Sequence, residues 1–302
     1  MGDQRFVFLF QGLFVVFVWS ASKIIMKMGL EIIPPYIFAA AIQVVALLGI
    51  GVYYLFKDKA KRITPTKEEI YLMILGGLVA FAGAKIFSII GLQYVTGATA
   101  GLIAASVTVF AVIIAALVLK ERPKLWQYGG ILLVLAGTYV FLSNDIIAGS
   151  LFGILLLLVA EMAFAFNNVI VRLLARRPED IALLTNLVGN IVGTIILVPL
   201  GLLVDGVPAK IWTWPVVALV VVVGLIFAFS GLLWAQILDK LRVLEVSILS
   251  NTMIIQVAIL SVIFLNEAMT WHNIAGGLLV LVGALVTDQH VIIKKDPRFK
   301  YG

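Results

Sequence analysis

Apolar residues run along this chain in long blocks, separated by short turns that hold nearly all of its charge. Each block is roughly 18–25 residues long, enough to cross about 30 Å of hydrocarbon as a helix. The pattern predicts ten such helices, near 6–28, 36–56, 70–90, 98–119, 125–142, 151–172, 181–203, 215–238, 246–265 and 272–288. The first block, Phe6 to Met28, is too long for a signal-peptide core and lacks a small-residue cleavage site before a polar domain. It is expected to stay as the first span.

The pattern also repeats. Shifted by 146 positions without a gap, Leu119 falls on Leu265, Glu121 on Glu267, Gly130 on Gly276, Leu132-Leu133-Val134-Leu135 on Leu278-Leu279-Val280-Leu281, Gly137 on Gly283 and Val140 on Val286. That makes nine identities in the 22 columns from Leu119 to Val140, so the chain reads as two related halves, 1–145 and 146–302, within one integral membrane domain. Ten spans divide into five and five. The junction, Ser143 to Ser150, is a short polar turn rather than a flexible tether.

Charge then sets an expected orientation. Lys120, Arg122 and Lys124 of the first copy become Asn266, Ala268 and Thr270 in the second, whereas Tyr94 and Thr96 become Lys240 and Arg242. Basic residues mark cytoplasmic helix ends, so the copies are expected to lie upside down relative to each other. With both termini cytoplasmic, 18 of the 22 Lys and Arg residues fall in inner segments and only Lys210 falls outside. Lys23, Lys27 and Lys85 are left within spans. Trp212 and Trp214, beside Pro215, suit an outer interfacial anchor. Gly97-x-x-x-Gly101 and Gly189-x-x-x-Gly193 suit close helix packing.

Composition agrees: 63% of the residues are hydrophobic and 13% charged, against about half and a quarter in soluble domains. The expected place is the cell membrane, multi-pass, with the lipid bilayer as the surrounding partner. The net charge of +6 sits in turns rather than on one face, so no nucleic-acid partner is expected. There is no cysteine, which removes disulfides and thiolate chemistry. His272 and His290 flank the last helix without ligand-spaced partners, and no metal or other cofactor is expected. Neither HExxH nor GxSxG occurs, and no paired Asp lies within the spans, so an intramembrane enzyme is disfavoured. A passive channel lacks a filter or charged rings.

Several motifs together resemble the EamA-like branch of the drug/metabolite transporter superfamily, over nearly the whole chain. They are Trp19-Ser20 followed by Lys27, a Pro at the start of the second span, Gly91-Leu92-Gln93-Tyr94, and Leu119-x-Glu121 with Gly130 and Gly137, repeated as Leu265-x-Glu267 with Gly276 and Gly283. The resemblance implies an all-α fold of ten helices in two inverted five-helix repeats. It also implies a central cavity and transport by alternating access without ATP hydrolysis. Inverted repeats are the architecture of many secondary transporters, whose substrates bind near the midplane. The expected partner is thus a small-molecule substrate.

Charged residues within spans are costly unless they face a polar interior. Lys23 and Lys85 are expected in the outer half of the membrane, lining a cavity or paired with an acid, while Lys27 can reach the interface. Glu161 lies near the middle of the sixth span, with Phe164 and Asn168 continuing its face at i+3 and i+7. It reads as a hydrogen-bonded structural acid, a coupling site for protons, or a counter-ion for a cationic substrate. Anchored on Pro35 and Pro178, Gln43 corresponds to Asn186, with Asn190 one turn on; Asn251 and Gln256 add amides to the ninth span. Such amides bind polar substrates or tie helices together. Trp19, Phe87, Phe164 and Trp234 are candidate aromatic walls. Glu121 and Glu267, at helix junctions, are expected to cap helices. The expected function is that of an exporter or exchanger of small polar metabolites, and three basic residues in the outer half favour a zwitterion or anion, such as an amino acid or organic acid. Glu161 among aromatics leaves a quaternary amine such as choline open.

Overall fold

The computed structural model describes residues 2–57, 64–118, 125–142, 148–174, 180–207, 213–241 and 243–288. Glu121, Lys210, His290 and most of the junction between the halves lie outside the described residues. The helices are α1 (Gly2–Gly29), α2 (Pro35–Phe56), α3 (Lys67–Gly76), a π-helical segment (Gly77–Ala84), α4 (Lys85–Tyr94), α5 (Gly97–Ala104) and α6 (Ser106–Val118). They continue as α7 (Leu125–Leu142), α8 (Ala148–Leu174), α9 (Asp180–Val204), α10 (Trp214–Lys240), α11 (Val243–Leu265) and α12 (Trp271–Asp288). No strand occurs among the described residues. In hydrocarbon a helix satisfies its own backbone polar groups, which an open sheet cannot.

Two of the ten expected spans are composite. The third runs from Lys67 to Tyr94 through the π-helical segment, and the fourth is jointed at Ala105 between α5 and α6. Eight rods are long and apolar enough to cross a membrane, and Leu249–Leu265 and Trp271–Thr287 form two shorter apolar stretches. The chain is a polytopic α-helical membrane protein.

Helix starts follow local chemistry. Thr66 and Glu69 cap α3 reciprocally, with Thr66 N–H donating to Glu69 Oε2 at 2.7 Å and Glu69 N–H to Thr66 Oγ1 at 3.3 Å. Pro35 opens α2, and the N–H of its third residue, Ile37, donates to Asp205 Oδ2 at 2.8 Å. Asp205 is a cap that the sequence reading did not identify.

The repeat is visible in the packing of α7 on α12. A Cβ added at Gly137 would lie 2.8 Å from the Gly276 carbonyl oxygen, and one at Gly276 would lie 2.6 Å from that of Gly137. Likewise Gly130 faces the Gly283 carbonyl at 2.7 Å, and Gly283 faces that of Gly130 at 2.8 Å. Since the early glycine of each helix meets the late one of the other, these equivalent helices run antiparallel. Backbone contact this close requires glycine at all four positions. The repeated leucines do the opposite: Leu132, Leu135 and Leu278 are exposed on the outer surface, where lipid would lie.

The halves interlock rather than sit side by side. In one direction α1 packs on α10 and α11; in the other, α8 packs on the π-helical segment, α4 and α6. Meanwhile α2 lies against α9 and α10, and α9 against the π-helical segment. One apolar core joins α4, α5, α7, α8, α11 and α12, and a second joins α2, α4, α9 and α10.

Candidate functional site

Lys85 is the first residue after the π-helical segment, in the interior of the third span. A π-helical turn adds a residue to the helix and often marks functional positions. Small residues make room there for α9: a Cβ at Gly77 would come within 2.8 Å of the Val192 Cβ. The Lys85 ammonium donates to Gln43 Oε1 on α2. It also lies 5.0 Å from the centre of the Phe227 ring and 5.8 Å from that of Phe81, within cation–π range. Gln43 is fully buried and donates from Nε2 to Asn190 Oδ1 at 2.9 Å and to the Asn190 carbonyl at 3.1 Å. Asn190 in turn donates to Asn186 Oδ1 at 2.5 Å. No carboxylate pairs with Lys85 among the described residues.

A second cluster lies on α1. Trp19 Nε1 donates to Ser230 Oγ at 2.6 Å, and the Trp19 ring meets Trp234 at 5.1 Å and 57°. Phe227, Ser230 and Trp234 recur at i, i+3 and i+7, on one face of α10. That face therefore serves both Lys85 and Trp19, joining the two clusters around one centre. One turn beyond Trp19, Lys23 pairs with Glu161 of α8, Nζ to Oε1 3.8 Å. Glu161 is only 5% exposed. Its ionised form needs such a partner, because an unpaired buried charge is strongly disfavoured. Ser20, also buried, donates to the Val16 carbonyl at 2.8 Å and lies 3.1 Å from Gln256 Oε1, linking α1 with α11.

The structure thus gathers Trp19, Lys23, Gln43, Lys85, Glu161, Asn186 and Trp234 from six helices. Phe164 is half-buried one turn from Glu161, and Asn251 is buried on α11. Asn168 is exposed, and Phe87 is among the exposed aromatic residues. It is Asn167, rather than Asn168, whose side-chain oxygen is buried, near Gly76, with no hydrogen bond among the described residues. Phe81, Phe227 and Ser230 were missed, since nothing distinguishes one Phe or Ser among many in an apolar span.

Two signature charges lie elsewhere. Lys27 Nζ donates to the Leu92 carbonyl at 2.7 Å and to that of Val95 at 2.5 Å, at the C-terminal end of α4. Glu267 accepts from Gly97 N–H at 2.6 Å and Ala98 N–H at 3.0 Å, at the N-terminal end of α5. Glu267 is a cap, as its chemistry suggested, but of a helix in the other repeat. Its own helix, α12, is capped by Thr270 and Asn273: Thr270 N–H donates to Asn273 Oδ1 at 2.9 Å and Asn273 N–H to Thr270 Oγ1 at 3.3 Å.

Apolar rods in two interlocked copies, with charged and aromatic side chains at their common centre, define a membrane protein of the transporter type. Residues 7–143 and 151–287 each match the model of the EamA-like transporter family. The chain belongs to that family and is a membrane transporter. Similar proteins include two from Bacillus subtilis (strain 168), each named an uncharacterized transporter. YcxC is 25% identical over 89% of this chain and 88% of its own; YoaV is 22% identical over 89% and 92%. A protein of known crystal structure, 18% identical, superposes with a TM-score of 0.63 over 95% of this chain and 97% of its own, and shares the fold.

Proposed function

We propose that the chain is a secondary active transporter that exchanges or exports small carboxylate-bearing metabolites, amino acids or organic acids, by alternating access at the centre between its repeats. The observation that carries this reading is the charge balance of the site. Lys23 is matched by Glu161, whereas Lys85 meets an amide oxygen and two aromatic rings. The centre is left with one positive charge that no carboxylate among the described residues balances. An ammonium held in an apolar span gains most from an anionic ligand, because the interaction strengthens as water is excluded.

A second reading rests on the tilted Trp19–Trp234 pair, whose faces suit a quaternary amine such as choline. Glu161, its natural counter-ion, is already taken by Lys23. Counterflow in proteoliposomes separates the two. With the purified chain, labelled amino acids and small organic acids should exchange and saturate, Lys85→Gln should lower that exchange at least tenfold per folded molecule, and choline should not compete. Exchange of choline with Lys85→Gln unaffected would overturn the carboxylate reading.

A further inference from the structure

The polar chain that starts at Lys85 has a direction, and the lysine imposes it. An ammonium only donates, so the Gln43 oxygen faces Lys85 and the Gln43 NH2 faces away, toward Asn190 Oδ1. The Asn190 NH2 is thereby turned toward Asn186, donating to its Oδ1 at 2.5 Å and its carbonyl at 2.9 Å. Each amide accepts on the Lys85 side and donates on the other. The last group is the Asn186 NH2, which donates to no acceptor among the described residues. Aligned hydrogen bonds polarise one another, so the lysine's charge strengthens this terminal donor.

Beside that donor is Gly231. A Cβ built there would have Asn186 Nδ2 at 3.2 Å and no other neighbour within 4 Å. Gly231 is exposed, yet it lies one turn after Phe227 and three residues before Trp234, on the face of α10 turned toward Lys85 and Trp19. Its open side therefore belongs to the central compartment. Two alignments of the halves point the same way: at the 146-residue offset Lys85 falls on Gly231, and with the second and seventh spans anchored on Pro35 and Pro178, Gln43 falls on Asn186. The contact that an ammonium makes with an amide in the first half is matched, in the second, by an amide facing vacant space.

We infer that Asn186 and Gly231 form a second substrate subsite, which takes a hydrogen-bond acceptor several bonds away from the carboxylate held by Lys85. The acceptor is a carbonyl, hydroxyl or carboxyl oxygen. Lys85 supplies affinity for the charged end, and Asn186 selects among carboxylates by what the other end carries. A site built to donate to an acceptor discriminates against the analogue lacking it. This inference rests on the carboxylate reading of Lys85.

The test uses matched acids on the purified full-length chain: 4-oxopentanoate and 5-oxohexanoate against pentanoate and hexanoate, with binding followed by thermal shift. At least one oxo acid should bind about fivefold more tightly than its unsubstituted partner, as expected for one added hydrogen bond. Gly231→Val fills the space beside the donor without removing any amide of the chain. Asn186→Asp keeps the oxygen to which Asn190 donates and removes the donor. Both should bring the ratio within each pair close to one, while Lys85→Gln should weaken all four acids. A preference that survives in folded Gly231→Val, or no preference in the wild type, overturns the subsite. If none of the four acids binds the wild type, the Lys85 reading fails and the subsite with it. Binding of the unsubstituted acids alone leaves Lys85 standing and removes only Asn186.

Discussion

The Gln127 side-chain amide donates to the Thr287 carbonyl at 3.1 Å, tying the first turn of α7 to the last turn of α12. Asn273, 146 positions after Gln127, donates at the same distance to the carbonyl of Phe141, 146 positions before Thr287. Both acceptors lie at helix C-terminal ends, where carbonyls lack intrahelical partners. Two unlike residues make the same bond at the two ends of one antiparallel pair. The glycine contacts lie between them. Adding a methyl at Gly137 or Gly283 should lower the melting temperature in detergent by the equivalent of about 1–3 kcal/mol. The same change at Gly129 or Gly277, with nothing within 4 Å, should have no such cost.

The Lys23–Glu161 pair should behave as a unit. Lys23→Met leaves Glu161 as an uncompensated buried charge and should cost about 3–5 kcal/mol or force the acid to become neutral. Glu161→Gln keeps the shape and much of the bonding, so it should fold while transporting poorly. The double variant, Lys23→Met with Glu161→Gln, should recover most of the stability lost in Lys23→Met. Melting curves decide this: additive losses would mean that the two side chains act independently.

Glu267 and Lys27 hold opposite sides of one turn, the first at the start of α5 and the second at the end of α4. Glu267→Ala should cost about 1–2 kcal/mol, as for loss of a helix cap, with Glu267→Gln in between. Transport per folded molecule should be nearly unchanged in both. A large drop in Glu267→Gln at wild-type stability would move this residue into the transport path.

Orientation can be read directly, because the chain has no cysteine of its own. Single cysteines at Lys57 and at Val207 should label from opposite faces of the membrane, the first from the cytoplasmic side. Labelling of both from one side would refute the topology expected from the distribution of basic residues.

The spans were legible in the sequence because hydrocarbon imposes length and composition on each segment. The expected 125–142 coincides with α7, and Gly130, Gly137, Gly276 and Gly283 proved to be the contact surface between equivalent helices. Charge within the spans was legible as a cost that needs partners: Lys23 pairs with Glu161, and Lys85 donates to Gln43. Partners were less so. Glu267 reaches across 170 positions to Gly97, and no local pattern encodes which helix a carboxylate will cap. Nor did the apolar run from Gly77 to Ala84 announce its π-helical form, since small residues are equally at home in an α-helix. Asn168 continues the Glu161 face in an idealised 3.6-residue period, which does not tell which of it and the adjacent Asn167 is the more buried.

The interlocking of α1 with α10 and α11, and of α8 with α4 and α6, constrains how the protein is made. When the first five spans have entered the bilayer, the glycine stripe of α7 has no backbone to meet, and Gln127 has no carbonyl to donate to. The α7 seam must wait in the membrane until α12 has been synthesised, although α8 to α11 find their partners in the early half before that. Closure of that seam is therefore a late event. A chain stopped before Trp271 should be inserted fully but remain open to degradation.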